Sequence, residues 1–428
     1  MNHPSVFARI LRVVREYFSR VRAFTPNARL YLLHVMIVGA VMGVFRLLFN
    51  FYVLSLGFDE ALLGNLITAS SFVALLVALP AGYFADVIGR KGTLLLSGVL
   101  LSASIIAMVL WPGERMFYLM NILSGVAQSL AGVTMSPFLM ENSEESERTY
   151  LFSFGQGLTM TMASVGSWLG GNLPTWVGTV QNTSATSSLA YGNSILIMGV
   201  VGALAILPLA FIKSPRIPRS QRAVFAPFEY AAKSPGMLTK LILPMLLTSI
   251  GAGLIMPFMN VFFRVVHDQP DPVIGTLFAW GSLAMGIGLL AAPPLAERMG
   301  KIQLVVITQA ISIPFLILLG FSPVFWIGAA SFYIRLALMN MSSPVYQTFV
   351  MEHVEPSARA TVASLSNMAW NFGWAFSPTI SGWLQVQYGF GVPFAGTIAL
   401  YTVAVAMYWA FFWRRSEAGP VPSAATTD

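Results

Sequence analysis

Two arginines stand inside apolar runs of this sequence, Arg46 in VMGVFRLLFN and Arg335 in SFYIRLALMN. An ionised side chain at the centre of a bilayer costs about 2.5–3.5 kcal/mol on insertion scales, so such a residue reads first as functional. Arg335 has roughly ten residues of its run on either side, about the midpoint of a membrane-spanning helix. Arg46 lies nearer one end, within reach of the interface for a long side chain. No aspartate or glutamate lies as deep in any run. Two buried positive charges without a fixed negative partner suit a solute that is itself an anion, and the planar guanidinium fork matches carboxylate and phosphate. Asn50, Asn260, Gln128, Asn367 and Asn371 offer amide hydrogen bonds beside them. Trp374, with Met42, Phe45, Met256, Met259, Phe262 and Trp370, would hold the apolar parts of a ligand. The competing reading is structural, with amides joining neighbouring helices and aromatics filling a core.

A second constellation is GYFADVIGRKG, residues 82–92, which sets one acid, two bases and three glycines between two long apolar runs. It returns in weaker form as PPLAERMGKI, where Glu297, Gly300 and Lys301 stand 211 residues after Asp86, Gly89 and Arg90. The same offset carries MENSEESERTYLFS onto MEHVEPSARATVAS without a gap, so Glu141 and Arg148 match Glu352 and Arg359, and it carries Gly64 to Gly275. Three segments sharing one offset mark an internal duplication. The glycines permit a tight turn between helices. An acid near one helix end and bases at the next can pair, so Gly82, Asp86, Gly89, Arg90, Lys91, Glu141, Arg148 and their repeats are read as a charged latch.

These motifs sit in a chain of 428 residues that is 56% hydrophobic and 10% charged. A soluble domain carries about 25% charged residues, so the composition is that of a polytopic membrane protein. Runs long enough to cross lipid fall near 30–57, 60–81, 93–112, 116–140, 149–171, 192–212, 238–264, 272–296, 302–320, 323–351, 360–385 and 391–413. Each must be a helix, because backbone groups within lipid have to be satisfied inside the segment. The expected architecture is therefore an all-α membrane protein of twelve transmembrane helices in two pseudo-symmetric six-helix bundles. The boundaries are an amphipathic segment 1–29, a first bundle 30–212, a linker 213–237, a second bundle 238–413 and a tail 414–428. With both termini in the cytoplasm, twenty lysines and arginines lie inside against two, Arg115 and Arg264, outside. The net charge of +7 is thus a topology signal, and no nucleic-acid partner is expected. The stretch GNLPTWVGTVQNTSATSSLAYGNS reads as a long polar outer loop.

The charged hinge, its repeat and the Glu-x6-Arg pairs closely resemble the signatures of the major facilitator superfamily, over residues 30–413. The resemblance implies two helical bundles rocking about a central site, with Asp86, Arg90, Glu141, Arg148 and their repeats at a cytoplasmic gate. Two marks of drug–proton antiporters within that superfamily are incomplete. SVGSWLGG supplies Gly166, Gly170 and Gly171 but has Ser167 in place of proline, and Asn121 stands where an arginine belongs. The expected function is a secondary transporter of the inner or plasma membrane, acting as a monomer on a small organic, anionic or amphipathic solute. Export or exchange ranks ahead of sugar or carboxylate uptake. Protons or a counter-transported anion would supply the coupling, membrane lipids are the remaining partner, and no cofactor or metal is expected. Enzyme chemistry finds no support, since HExxH, G-x-S-x-G and a phosphate-binding loop are missing and the four histidines are dispersed. A receptor or scaffold with a transporter fold is the rival of another class, separable by solute flux.

Overall fold

The computed structural model describes residues 24–143, 145–213, 235–352 and 359–413. Residues 1–23 of the amphipathic segment, most of the linker and the tail lie outside the described residues. The first six long helices are α1 (Pro26–Ser55), α2 (Glu60–Ile88), α3 (Arg90–Leu110), α4 (Glu114–Glu141), α5 (Glu145–Gln181) and α6 (Ser188–Leu204), the last followed by a short turn of helix at Leu207–Ala210. Then come α7, in two parts (Pro235–Ile255 and Met259–Val265), α8 (Asp271–Met299), α9 (Lys301–Phe321), α10 (Phe325–Glu352), α11 (Arg359–Tyr388) and α12 (Gly391–Tyr408). Among the described residues, nine are long and apolar enough to cross a membrane on length and composition. The other three, α5, α10 and α11, carry more polar residues: serines, threonines and glycines in α5, Arg335 and Asn340 in α10, asparagines and serines in α11.

One sequence expectation fails. The stretch read as a long polar loop is mostly helix, because α5 runs on to Gln181 and α6 begins at Ser188. Pro174 is accommodated inside α5, and Trp176 and Val180 present apolar surface that a loop of water-facing residues would lack. The connection ends α5 at Asn182, whose φ of 54° is the left-handed conformation asparagine tolerates. Ser187 then caps α6 by accepting the Ala190 N–H at 3.2 Å.

The chain divides into two compact units. Unit 1 holds Met1–Gly57, Val73–Gln221 and Asp271–Ala279, and unit 2 holds Phe58–Phe72, Arg222–Pro270 and Trp280–Asp428. Each therefore contains a stretch of helix from the other half of the sequence. In unit 1, α1 packs chiefly on α5. A Cβ at Gly166 would lie 2.2 Å from the Ala40 carbonyl oxygen, so only glycine fits that crossing. The N-terminal part of α8 is held in the same unit, where a Cβ on Gly171 would come 2.9 Å from Gly275 Cα, and Ser164 Oγ donates to the Ala279 carbonyl at 2.8 Å.

Unit 2 repeats the plan. There α7 packs on α11, and the N-terminal part of α2 lies so close to α11 that a Cβ on Gly382 would be 2.3 Å from the Glu60 carbonyl oxygen. Gly64 and Gly382 stand at the repeat offset from Gly275 and Gly171, so one small-residue crossing occurs twice. Its core gathers Leu241, Val305, Tyr346, Phe349, Tyr408 and Phe412, with the Tyr346 hydroxyl donating to the Leu241 carbonyl at 2.5 Å.

Candidate solute and gating sites

The two charged hinges have the same backbone. Gly89 sits at φ 88°, ψ 157° between α2 and α3, and Gly300 at φ 90°, ψ 149° between α8 and α9. Residues with a Cβ seldom adopt this region, so glycine is required at both turns. In unit 1 the Arg90 Nε donates to Glu141 Oε1 at 3.2 Å, joining the start of α3 to the end of α4. That carboxylate offsets the positive end of the α3 dipole, which the arginine alone would aggravate. Lys91 Nζ donates to the Ala210 carbonyl at 2.6 Å, a cation on a helix C-terminus. Gly82 and the side chains of Asp86, Arg148, Glu297, Glu352 and Arg359 lie outside what is described. Lys301 opens α9 directly after Gly300.

The deep arginines differ. Arg46 is exposed on the continuous helix α1 and makes no hydrogen bond or ion pair among the described residues. Asn50, one turn further on, is buried. Gln128 on α4 is exposed and donates to Ser124 Oγ on its own helix at 3.3 Å.

Arg335 is 2% exposed in unit 2. Its Nη2 donates to the Tyr401 hydroxyl at 3.1 Å, Cζ lies 5.3 Å from that ring's centroid, and Nη1 rests 3.9 Å from Met256 Sδ. Nε is buried and bonds nothing, and no carboxylate pairs with this guanidinium among the described residues.

Met256 belongs to a break in α7. The helix stops at Ile255, passes through a 3-10 turn at Met256–Phe258 and resumes at Met259. Pro257 causes it, since proline has no N–H to give the carbonyl four residues back. Side chains from other helices bond the carbonyls just before it, Thr397 Oγ1 donating to that of Gly251 at 2.9 Å and Ser381 Oγ to that of Leu254. A broken helix beside an unpaired buried cation is the kind of place where transporters hold solute.

The remaining candidates lie on α7 and α11. Asn260, just past the break, is buried. On α11, Asn371 Nδ2 donates to the Asn367 carbonyl at 3.0 Å, and Trp374 Nε1 is buried without a partner. Glycines 166, 170 and 171 serve close packing, as their contacts with α1 and α8 show. Two participants escaped the sequence reading. Tyr401 lies within the apolar run of residues 391–413. Asp271, at the start of α8, is 6% exposed and accepts from the Tyr191 hydroxyl at 2.5 Å. No sequence signal distinguishes Tyr401, whereas Asp271 does directly precede Pro272, a helix-start pattern.

Comparison with known proteins decides the family. The model of the major facilitator superfamily matches residues 31–378 and 241–427. The chain belongs to the major facilitator superfamily. As a member it is a multi-pass membrane transporter of a family of carriers, with the fold that its helices display. No curated protein matches the sequence significantly. Among solved structures it resembles a bacterial homologue of the human lysosomal transporter Spinster, in an inward-facing and occupied conformation (TM-score 0.74, 14% identity, 93% of this chain and 100% of that one). It is similar too to a mutant of the nucleoside transporter NupG (0.72, 15%, 91% and 100%) and to a D-xylose–proton symporter (0.68, 15%, 89% and 97%). At these identities the likeness is one of fold.

Proposed function

We propose that this superfamily member carries a small organic anion, or an amphiphile with an anionic head, across the inner or plasma membrane by alternating access. The carrying observation is Arg335, a guanidinium buried in unit 2 beside the break in α7 with no carboxylate to neutralise it among the described residues. A buried charge is costly unless paired, so an anion arriving there gains what the protein leaves unsatisfied. Export or exchange is the favoured direction, with both termini in the cytoplasm. A counter-transported anion would serve the same arginine, and protons are the other coupling species.

In this reading the protein acts as a monomer. The two helical bundles, residues 30–212 and 238–413, alternate about the solute. The charged hinges with Arg90, Glu141 and their repeats close the cytoplasmic side, and Arg46, Asn50, Gln128, Asn260, Asn371 and Trp374 contact solute. The uptake of a sugar is the second reading, favoured by the amide-bearing α11, where Asn367 and Asn371 could serve hydroxyl groups.

The test is solute flux and thermal shift on purified, reconstituted protein with panels of anionic and neutral solutes, repeated on Arg335→Ala. Anions should stabilise the wild type and be transported, and should do neither in the variant. Equal stabilisation of both proteins by anions would overturn the reading. Binding without flux would indicate a receptor.

A further inference from the structure

The Arg335 environment contains more than one donor waiting for an acceptor. We infer that Arg335 and Tyr401 together form a receptor for a single carboxylate on an otherwise apolar body, with Met256 as its displaceable cover. This rests on the anion reading above and adds to it the identity of the head group and the second residue that grips it.

The argument begins with hydrogens. Nε–H and one Nη2–H point along the same edge of a guanidinium, the edge that takes a carboxylate side-on. Here Nη2 is occupied by the Tyr401 oxygen at 3.1 Å and Nε is buried with no partner. Having accepted from Nη2, the phenol still owns its proton, and no described group accepts it. Two donors, Nε–H and Tyr401 O–H, are thus left without a described acceptor in one cluster about one cation. A carboxylate satisfies both, one oxygen on each, and leaves the Nη2–Tyr401 bond in place. No proton changes owner.

Charge selects the head group further. The cluster holds one full positive charge, a neutral phenol and a thioether. A monoanion neutralises it, whereas a doubly charged phosphate would leave an excess negative charge in an apolar interior, which is unfavourable. The ring of Tyr401 is fixed from behind, since Gly251 lies so close that a Cβ there would fall 2.7 Å from Tyr401 Cε1, and Thr397 ties the same stretch of α7. The hydroxyl is therefore pre-positioned. Met256 is only partly buried while Arg335 is 2% exposed, so the thioether, 3.9 Å from Nη1, is the more accessible of the two side chains. An unbranched, three-rotor side chain moves aside readily.

The experiment is isothermal titration of the detergent-purified full chain with benzoate, phenyl phosphate and benzamide, on wild type, Tyr401→Phe and Arg335→Ala. Wild type should bind benzoate at least tenfold more tightly than either of the others. Tyr401→Phe keeps the ring and loses one donor to a charged group, so benzoate should weaken about tenfold while benzamide is unchanged. If Arg335→Ala removes benzoate binding and Tyr401→Phe matches wild type, the paired receptor is wrong and the anion reading survives. If Arg335→Ala binds benzoate as wild type does, both fall. Tighter binding of phenyl phosphate than benzoate by the wild type, a measurement that needs no variant, overturns the monocarboxylate assignment.

Discussion

Units 1 and 2 are copies of one plan that part company where charge enters the membrane. Both have the left-handed glycine turn before a basic residue, and both use a glycine crossing to hold a borrowed helix end. Yet the repeat partner of Arg335 is Ser124, which merely accepts from Gln128, and the partner of Pro257 is Arg46. Where unit 2 has a broken helix and a sealed-in cation, unit 1 has a straight helix and an exposed one. Duplication preserved the residues that fix turns and close approaches, which depend on backbone sterics and tolerate no side chain. The two arginines inside apolar runs are not matched across the repeat.

The largest effect expected from this contrast is functional. Arg335→Ala should cut anion transport in proteoliposomes by more than tenfold, since losing one partner of a desolvated charge interaction costs about 2–5 kcal/mol. Ser124→Ala, at the matching place in unit 1, should leave it within twofold. Steric effects come next. Gly166→Ala forces a Cβ onto the Ala40 carbonyl and should destabilise by about 1–3 kcal/mol in thermal unfolding, whereas Gly132→Ala, with open space around it, should be neutral or better.

A smaller loss is expected at the Tyr191–Asp271 bond. Tyr191→Phe should cost about 1.5–3 kcal/mol, the range for a hydrogen bond to a charged group. Thr402→Val, at the repeat position, is exposed and should cost less than about 0.5 kcal/mol.

The two histidines give the mildest contrast. His34 in unit 1 is bonded to the Ala205 carbonyl at 2.7 Å, while His267 in unit 2 sits among Phe262, Phe263 and Phe325 with Nε2 unpartnered. Burial holds the His267 imidazole below its ordinary value. The unfolded chain then binds the proton first as pH falls, so this residue's contribution to stability is complete above about pH 6.5 and declines below it. His267→Phe should flatten the decline in melting temperature between neutral and mildly acidic buffer.

Most of the fold was readable from the residues. Apolar run length gave the helices, and the fixed repeat offset gave the duplication, because lipid imposes a length and glycine turns impose an identity. The loop after α5 misled because its threonines, glycines and asparagine look water-facing one at a time, although Trp176, Val177 and Val180 continue the helix. At the site, Arg335 declared itself by being charged in an apolar run. Tyr401 did not, since its role comes from Gly251 admitting its ring and from α10 bringing the guanidinium to its hydroxyl. Met256 and Pro257 stood in plain view, but internal prolines in α2, α5, α9 and α11, and Pro244 in α7 itself, make no such break, so the break is visible only in the backbone itself.

The borrowed helix ends have a consequence for how such a molecule could arise. A single repeat standing alone would own the N-terminal part of its second helix but not the neighbour that covers it, for Phe58–Phe72 is housed with one half and Asp271–Ala279 with the other. An unduplicated repeat would bury that stretch only with a second copy beside it. A chain severed in the linker should likewise be inert as either fragment and recover when both are made in one cell.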